Sequence, residues 1–398
     1  MKELLFLSHR IPYPPNKGDK IRSYHLLKHL TRSYRVHLGT FIDDPADWKY
    51  ADEVRRMCGD TCLLPLTPWQ AKLRCLSGLL TGEALTVPYY RNPAMQDWVS
   101  RQLSQRSPQG VLVFSSAMAQ YVEHLDELIR VIDFVDVDSD KWSQYAERKG
   151  FPGSWIYRRE SLRLLDFERR IADRFDHSLF VSEEEAALFR RLAPESTDKI
   201  GALENGVDTE YFNDSGDYSN PYSEGKKIVV FTGAMDYWAN VDAVVWFARE
   251  VFSEIRQRCQ DVCFYVVGSR PSQAVLELSE QPGIVVTGAV ADIRPYLAHA
   301  RLVVAPLRIA RGIQNKVLEA MAMGKPLLAS AQAMEGIELS GPLDFHVPAT
   351  PPSWIQQVLD VLDQDALPAH SERNRLFVCG RYGWERNLRP LDSLWQKP

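Results

Sequence analysis

The sequence predicts an α/β protein of two successive halves, each a parallel sheet with helices on its faces. Three observations carry this. Short apolar runs of strand type alternate with helical periodicity along nearly the whole 398-residue chain. A stretch rich in Asn, Asp, Ser, Gly and Pro at residues 213–227, NDSGDYSNPYSEGKK, interrupts the alternation, which then restarts. Residues 302–330, LVVAPLRIARGIQNKVLEAMAMGKPLLAS, read as strand, loop, helix, strand. Such a unit leaves the loop after its first strand open at the carboxyl edge, where open α/β sheets bind ligands.

A chain of this length can hold two domains with separate cores. Its 45% hydrophobic and 25% charged residues fit a soluble globular protein. With 52 acidic and 47 basic side chains the net charge is −5, which leaves no electrostatic footprint for nucleic acid. No apolar run approaches a membrane span, and residues 4–7 are too short for a secretory core, so a cytoplasmic start is expected. None of the six cysteines forms a C-x-x-C pair, and no histidine cluster accompanies Cys58/Cys62 or Cys259/Cys263. Reduced thiols and no metal site are the expectation.

In chain order, residues 3–8 form a first strand, followed by the loop HRIPYPPNKGDK and a helix from about 20 to 30. Asp19 suits its N-cap and Gly18 the turn before it. Arg10, Lys17, Lys20 and Arg22 crowd this junction, either as an anion or acceptor contact or as a solvated basic loop. A second strand covers 36–41. Residues 61–92 are less regular, but WQAKLRCLSGLL at 69–80 places Leu73, Leu76 and Leu80 on one helical face beside Lys72 and Arg74. Two readings stand: a helix lying on a membrane surface, or an ordinary amphipathic helix covering the sheet.

The alternation continues with a strand at 111–114, a helix at 119–129 and a strand at 131–135. That strand ends in FVDVDSDKW, with Asp136, Asp138 and Asp140. An Asp-x-Asp pair could bridge nucleotide phosphates through a divalent ion. Asp136 at a strand's carboxyl edge could instead be a general base for an acceptor hydroxyl, and the third reading is capping and turn formation. Residues 142–175 hold a long charged helix, RRESLRLLDFERRIADRF, 178–181 a strand and 183–192 a helix.

The second half opens with a strand at 228–232, the turn at Gly233 and a helix at about 240–258. Strands at 263–268 and 284–288 follow, each ended by a glycine. The strand at 302–305 leads to the loop with Arg308, Arg311 and Gly312, and then to a helix from about 315 that Gly324 and Pro326 stop. Beyond a strand at 327–330 come a last strand at 344–347 and helices at 354–362 and about 384–395. The charges of the 302–330 unit suit a nucleotide diphosphate. Lys316 sits in the first helical turn, where the macrodipole disfavours a cation unless an anion also docks on the N–H groups of Ile313, Gln314 and Asn315. Glu319, one turn on, could accept hydrogen bonds from ribose hydroxyls. The alternative is an exposed i,i+3 ion pair.

GIQNKVLEAMAMGKPLLAS resembles the donor-site motif of the retaining GT-B glycosyltransferases of the family-4-like group. There a Glu-Gly-Phe-Gly loop leads to a helix with a second glutamate, in an E-x7-E pattern. Glu319 matches the second glutamate, whereas Arg311 stands where the first, which contacts the donor sugar, would be. LENGVDTEYF at 203–212 resembles that family's Asn-Gly-Val-Asp segment at the junction of halves. The resemblance covers nearly the whole chain. SHRIPYPPNKGDKIRSYHLL and RGIQNKVLEAMAMG look like the sugar transferases of exosortase/PEP-CTERM-associated exopolysaccharide loci of Gram-negative bacteria.

The resemblance implies a GT-B fold, two Rossmann-like domains facing across a cleft. Residues 1–205 would be the acceptor side, 206–380 the nucleotide-sugar side, and 381–398 a helix crossing back. It implies donor contacts at Gly233, Asn240, Gly268, Val290, Gly312, Ile313, Gln314, Asn315, Lys316 and Glu319, and acceptor contacts at Arg10, Gly18, Asp19, Lys20 and Arg22. The family often places an Arg/Lys pair in the segment that here reads TGAMDYWANVDAVVWF. None stands there, which leaves the diphosphate to Lys316 and to Arg311, whose fork suits bidentate binding. The family histidine after the fourth strand appears as Ser115 or Ser116.

The implied activity is hexosyl transfer from a nucleotide diphosphate sugar, UDP- or GDP-linked, to a hydroxyl of a lipid-linked glycan. The expectation is a retaining outcome, with Asp136 as base if the product is inverted. No cofactor is expected, and the protein would work in the cytoplasm, in peripheral contact with the inner membrane. A nucleotide-sugar epimerase on the same fold and a catalytically impaired sugar-nucleotide scaffold are the alternatives. The absence of G-x-G-x-x-G and of G-x-x-x-x-G-K-[ST] disfavours a dehydrogenase and a P-loop ATPase.

Overall fold

Near-continuous apolar runs such as Leu4–Leu7 and Val229–Phe231 suit strands covered on both faces, which is the environment of a parallel sheet. The computed structural model describes residues 2–147, 150, 153–310, 313–337, 347–364 and 369–396. The chain divides into two compact units, Met1–Asn205 with Leu388–Pro398, and Gly206–Asn387.

In the first unit seven strands form one sheet: β1 (Lys2–Ser8), β2 (Tyr34–Ile42), β3 (Asp60–Pro65), β4 (Gly110–Phe114), β5 (Ile129–Val135), β6 (His177–Phe180) and β7 (Ile200–Ala202). Their order is β3-β2-β1-β4-β5-β6-β7, and every pairing is parallel. Chain direction across the sheet reverses between β1 and β4, so the carboxyl ends of these two strands flank a crevice. Trp395, fully buried, closes the amino end of β4: an added Cβ on Gly110 would lie 2.8 Å from its ring.

The second unit has five strands: β8 (Lys227–Thr232), β9 (Val262–Val267), β10 (Ile284–Gly288), β11 (Leu302–Ala305) and β12 (Leu327–Ala329). Their order is β10-β9-β8-β11-β12, again all parallel. Here the reversal lies between β8 and β11, which are followed by the Gly233 turn and by the segment that begins at Pro306. Helix Asn315–Ala322 crosses from β11 to β12 with Val317, Leu318, Ala320 and Met321 buried. Gly324, at φ 61°, ends it, and the N–H of Lys325 donates to the Ala320 carbonyl in a Schellman closure.

Several expected elements differ. The long charged helix expected within 142–175 is Gly153–Arg174, and a separate helix, Asp138–Glu147, precedes it. In place of a helix over 119–129 there is one short 3-10 segment, Ser116–Tyr121. The helix expected from 240 to 258 begins at Trp238 and contains a π-helical turn, Ala248–Phe252. The last helix is broken by Pro390 into Trp384–Leu388 and Pro390–Ser393. Helices Pro93–Arg106 and Ala369–Arg381 were not expected. The first of these has a legible start, since the Asn92 side chain accepts from the Ala94 N–H ahead of Pro93. Most of the strand expected at 344–347 lies outside the described residues.

Helix Pro68–Thr81 overturns the plainer of its two readings. It turns Ala71 and Gly78 inward, while Trp69, Leu73, Leu76 and Leu79 are 62%, 56%, 56% and 42% exposed. These four side chains do not cover the sheet, and that of Leu80, the third leucine of the expected face, lies outside the described residues.

Candidate functional site

At the carboxyl edge of the second sheet, glycines let the strand-end turns touch. An added Cβ on Gly268 would fall 1.6 Å from the Gly233 carbonyl oxygen, a contact only glycine permits. The turns are also hydrogen-bonded: Gly233 N–H donates to the Val267 carbonyl (3.1 Å), and Gly268 N–H to that of Gly288 (3.3 Å). Val290, just beyond, packs partly buried against the same core.

Asn240 stands in the first turn of helix Trp238–Phe247 and is 4% exposed. Its Nδ2 donates to the Ala234 carbonyl at 2.8 Å, which fixes the amide so that Oδ1 faces Lys316. Lys316 Nζ donates to that oxygen at 2.6 Å and sits 5.0 Å from the centroid of the Phe231 ring. An added Cβ on Gly233 would lie 2.7 Å from Asn240 Nδ2 and 3.5 Å from Lys316 Cε. Gly233, Asn240, Gly268 and Lys316 therefore converge at the point where strand order reverses.

Burial dominates the electrostatics here. It pulls the Lys316 ammonium down to about 8 and pushes the Glu319 carboxyl up to about 7, while each partly offsets the shift of the other. Both residues are partly exposed overall, while their charged ends are the desolvated part. The exposed i,i+3 ion pair is thus not what forms. Gln314, with extended backbone, is the N-cap residue and makes no side-chain capping bond. Ile313 packs partly buried against the core, and Asn315 Oδ1 is buried with no hydrogen-bond partner. The Arg311 and Gly312 expectations lie outside the described residues. Arg308 is occupied by Asp242, with Nε donating at 2.9 Å.

In the first unit the expected acceptor group separates into two sets. Lys20 and Arg22 are each 1% exposed. Lys20 Nζ bonds Asp47 at 2.6 Å, and Arg22 bonds both carboxylate oxygens of Asp133, at 2.7 and 3.2 Å, plus Asn205 at 2.9 Å. The expectation that these two cations contact an acceptor gives way to buried ion pairing, in which losing one partner would strand a charge. Asp19 is not the N-cap; that position is Lys17, and the helix starts at Gly18. A Cβ on Gly18 would meet nothing within 4 Å, so the turn does not require glycine there.

Arg10 remains at the edge with Asp19, donating to it and, through Nε, to Asp43 at 2.9 Å. Burial alone would raise Asp19, but the His9 and Arg10 contacts hold it well below the usual carboxylate range. His9 follows β1 directly, stacks on Phe114 with ring centroids 5.7 Å apart, and lies 3.6 Å from Asp19. Sequence reasoning passed over it, although a histidine at the end of the first strand was the available signal. Ser115 (φ 79°) and Val135 (φ 70°) hold left-handed backbone at the ends of β4 and β5. For a β-branched residue that costs roughly 1–3 kcal/mol, a strain that clusters at functional edges.

Asp136 and Asp138 converge on a protein cation, with Lys141 Nζ 2.6 Å from Asp136 and 3.3 Å from Asp138. Asp140 accepts from Gln144 at 2.5 Å. Among the described residues no group of three or more His, Cys, Asp or Glu is placed to hold a metal ion. Because Lys141 already pairs with Asp136 and Asp138, chelation with EDTA is expected to leave turnover unchanged. Complete loss on chelation, restored by manganese, would return these aspartates to a metal role.

Residues 226–364 match the family described as Glycosyl transferases group 1. No curated protein matches the chain by sequence. Among solved structures, WaaG, a glycosyltransferase involved in lipopolysaccharide biosynthesis, is similar at 16% identity and a TM-score of 0.67, over 98% of this chain and 99% of that one. HepE of Anabaena in complex with UDP-glucose is similar at 14% identity and a TM-score of 0.63, over 99% and 100%. A glycosyltransferase from Rickettsia africae is similar at 13% identity and a TM-score of 0.63, over 99% and 98%. The fold is GT-B.

Proposed function

We propose that the protein is a glycosyltransferase moving a hexosyl unit from a nucleotide diphosphate sugar, UDP- or GDP-linked, to a hydroxyl of a lipid-linked glycan. The observation that carries this reading is the convergence of Gly233, Asn240, Gly268 and Lys316 at the switch point of the second sheet, with Glu319 one turn away. Close backbone contact at Gly233 and Gly268 keeps Asn240 and Lys316 against the strand-end turns. Lys316 and the N-terminus of helix Asn315–Ala322 supply positive charge for a departing diphosphate. Glu319, one turn on, would accept hydrogen bonds from a pair of ribose hydroxyls. The match to glycosyl transferases group 1 supports transfer chemistry, and the similarity to HepE bound to UDP-glucose supports a nucleotide-sugar donor.

The finer points rest on the sequence resemblance: surface or exopolysaccharide assembly of the exosortase-associated kind, a retaining outcome, no cofactor, and work at the cytoplasmic face of the inner membrane. Arg311 joins Lys316 on the diphosphate in this reading, and Arg10 and Asp19 lie on the acceptor side. Asp136, held by Lys141, is the base if the product is inverted.

A thermal-shift panel of UDP-, GDP-, ADP- and dTDP-sugars tests the donor. A ligand at 100 times its Kd stabilises the native state by about 2.7 kcal/mol, so a UDP- or GDP-sugar is expected to raise Tm by several degrees. A panel with no shift from any nucleotide sugar would sink the reading. Donor consumption that needs no acceptor would favour the epimerase instead.

A further inference from the structure

Helix Pro68–Thr81 is amphipathic the wrong way round for a helix that packs on its own sheet. Its inner side carries small residues, Ala71 and Gly78, and Arg74 ties it down through the carbonyls of Pro88 and Tyr89, at 3.3 and 3.1 Å. On the outer side Trp69, Leu73, Leu76 and Leu79 recur at three- and four-residue intervals, each more than two-fifths exposed. Such spacing makes one stripe about 100° wide.

Helix Gly153–Arg174 lies beside it: Arg159 donates to the Gly78 carbonyl at 2.7 Å, and buried Glu160 caps the Leu85 and Thr86 N–H groups at 2.6 and 2.9 Å. This second helix also exposes large apolar side chains, Trp155 at 57%, Ile156 at 39% and Leu162 at 65%. Arg158, Arg159 and Arg163 are interleaved with them. The facing charges are Lys72 and these three arginines against Asp166, which lies 3.7 Å from Arg163. Helix Pro68–Thr81 itself contains no acidic residue. A chain of net charge −5 thus gathers local positive charge around an exposed apolar ridge bearing two tryptophans.

We propose that this two-helix ridge of the first unit docks on an anionic lipid bilayer, with Trp69, Leu73, Leu76, Leu79, Trp155 and Leu162 entering the interface and Lys72, Arg158 and Arg163 meeting the headgroups. The sign of the flanking charge selects this occupant, because apolar contact and attraction to anionic lipid add in such surfaces. Among the described residues no helix is long and apolar enough to cross a membrane, so the contact is interfacial. The inference stands apart from the donor site and has its own readout.

The test is flotation of the full chain with vesicles of phosphatidylcholine alone or with roughly one-third phosphatidylglycerol. The protein is expected to float with the anionic vesicles, and high salt should weaken the association. Trp69→Ser/Leu73→Ser/Leu76→Ser should weaken it about tenfold or more. Arg158→Gln/Arg163→Gln should weaken it roughly 30-fold, as two headgroup contacts are lost. These side chains are exposed, so a melting temperature and a nucleotide-sugar shift equal to the wild type's will show that each variant is folded. Failure of the wild type to float, or equal flotation of both variants, overturns the proposal. So does self-association in vesicle-free solution that the serine substitutions abolish, which would assign the ridge to a second copy of the chain.

Discussion

Lys316→Ala is expected to weaken nucleoside diphosphate binding by about 10- to 150-fold, the span of one hydrogen bond to a charged group. It should lower kcat/KM further, by about 10²–10³, because charge on the diphosphate grows as the glycosidic bond breaks. The effect is concentrated in this residue for a structural reason. The segment from Gly233 to Phe247 supplies no arginine or lysine, and Lys316 Nζ is held 2.6 Å from Asn240 Oδ1 beside the glycine turns. The fold should survive, because removing a desolvated ammonium relieves a cost. Calorimetry with UDP and GDP on both proteins decides it: equal affinities would remove Lys316 from the site. Lys316→Arg is a useful companion, since a guanidinium is bulkier where Gly233 approaches.

Much of this site was legible in the sequence because its signals are local. The run from Leu302 to Ala329 forms strand, loop, helix and strand where periodicity and the Gly324 stop put them. Gly233 and Gly268 mark strand ends in sequence, but that one presses on the other's carbonyl is a fact of sheet order, which no local pattern encodes. The first unit shows the limit more sharply. Lys17, Lys20 and Arg22 read alike as a basic cluster, yet Lys20 and Arg22 are neutralised by Asp47 and Asp133, 27 and 111 residues away. Burial of a charge depends on its distant partner. Helix Pro68–Thr81 makes the same point for apolar residues: its periodicity located the stripe, and only the fold shows that the stripe faces outward.

The Lys316–Glu319 pair should also leave a signature in stability. Lys316 falls from an ordinary 10.5 to about 8 in the folded protein, so between those values the unfolded chain keeps a proton that the folded one has released. Stability contributed by this group therefore rises with pH above about 8. Glu319 rises from 4.5 to about 7, so between those values the folded protein keeps the proton, and stability falls as pH climbs through that window. Both penalties are fully present between about 7 and 8, where both groups are charged and desolvated. The isosteric double variant Lys316→Met/Glu319→Gln removes both. It is expected to stabilise the free protein by about 1–4 kcal/mol near pH 7.5, with a higher Tm and flatter pH dependence, while donor binding is lost. Either single variant should gain less, because the remaining charge loses the opposite charge that partly offsets its burial. Donor affinity in the wild type should decline above pH 8, as the lysine sheds its proton, and below pH 7, as the glutamate gains one. A double variant no more stable than wild type at pH 7.5, with the same pH slopes, would mean that the pair is well solvated.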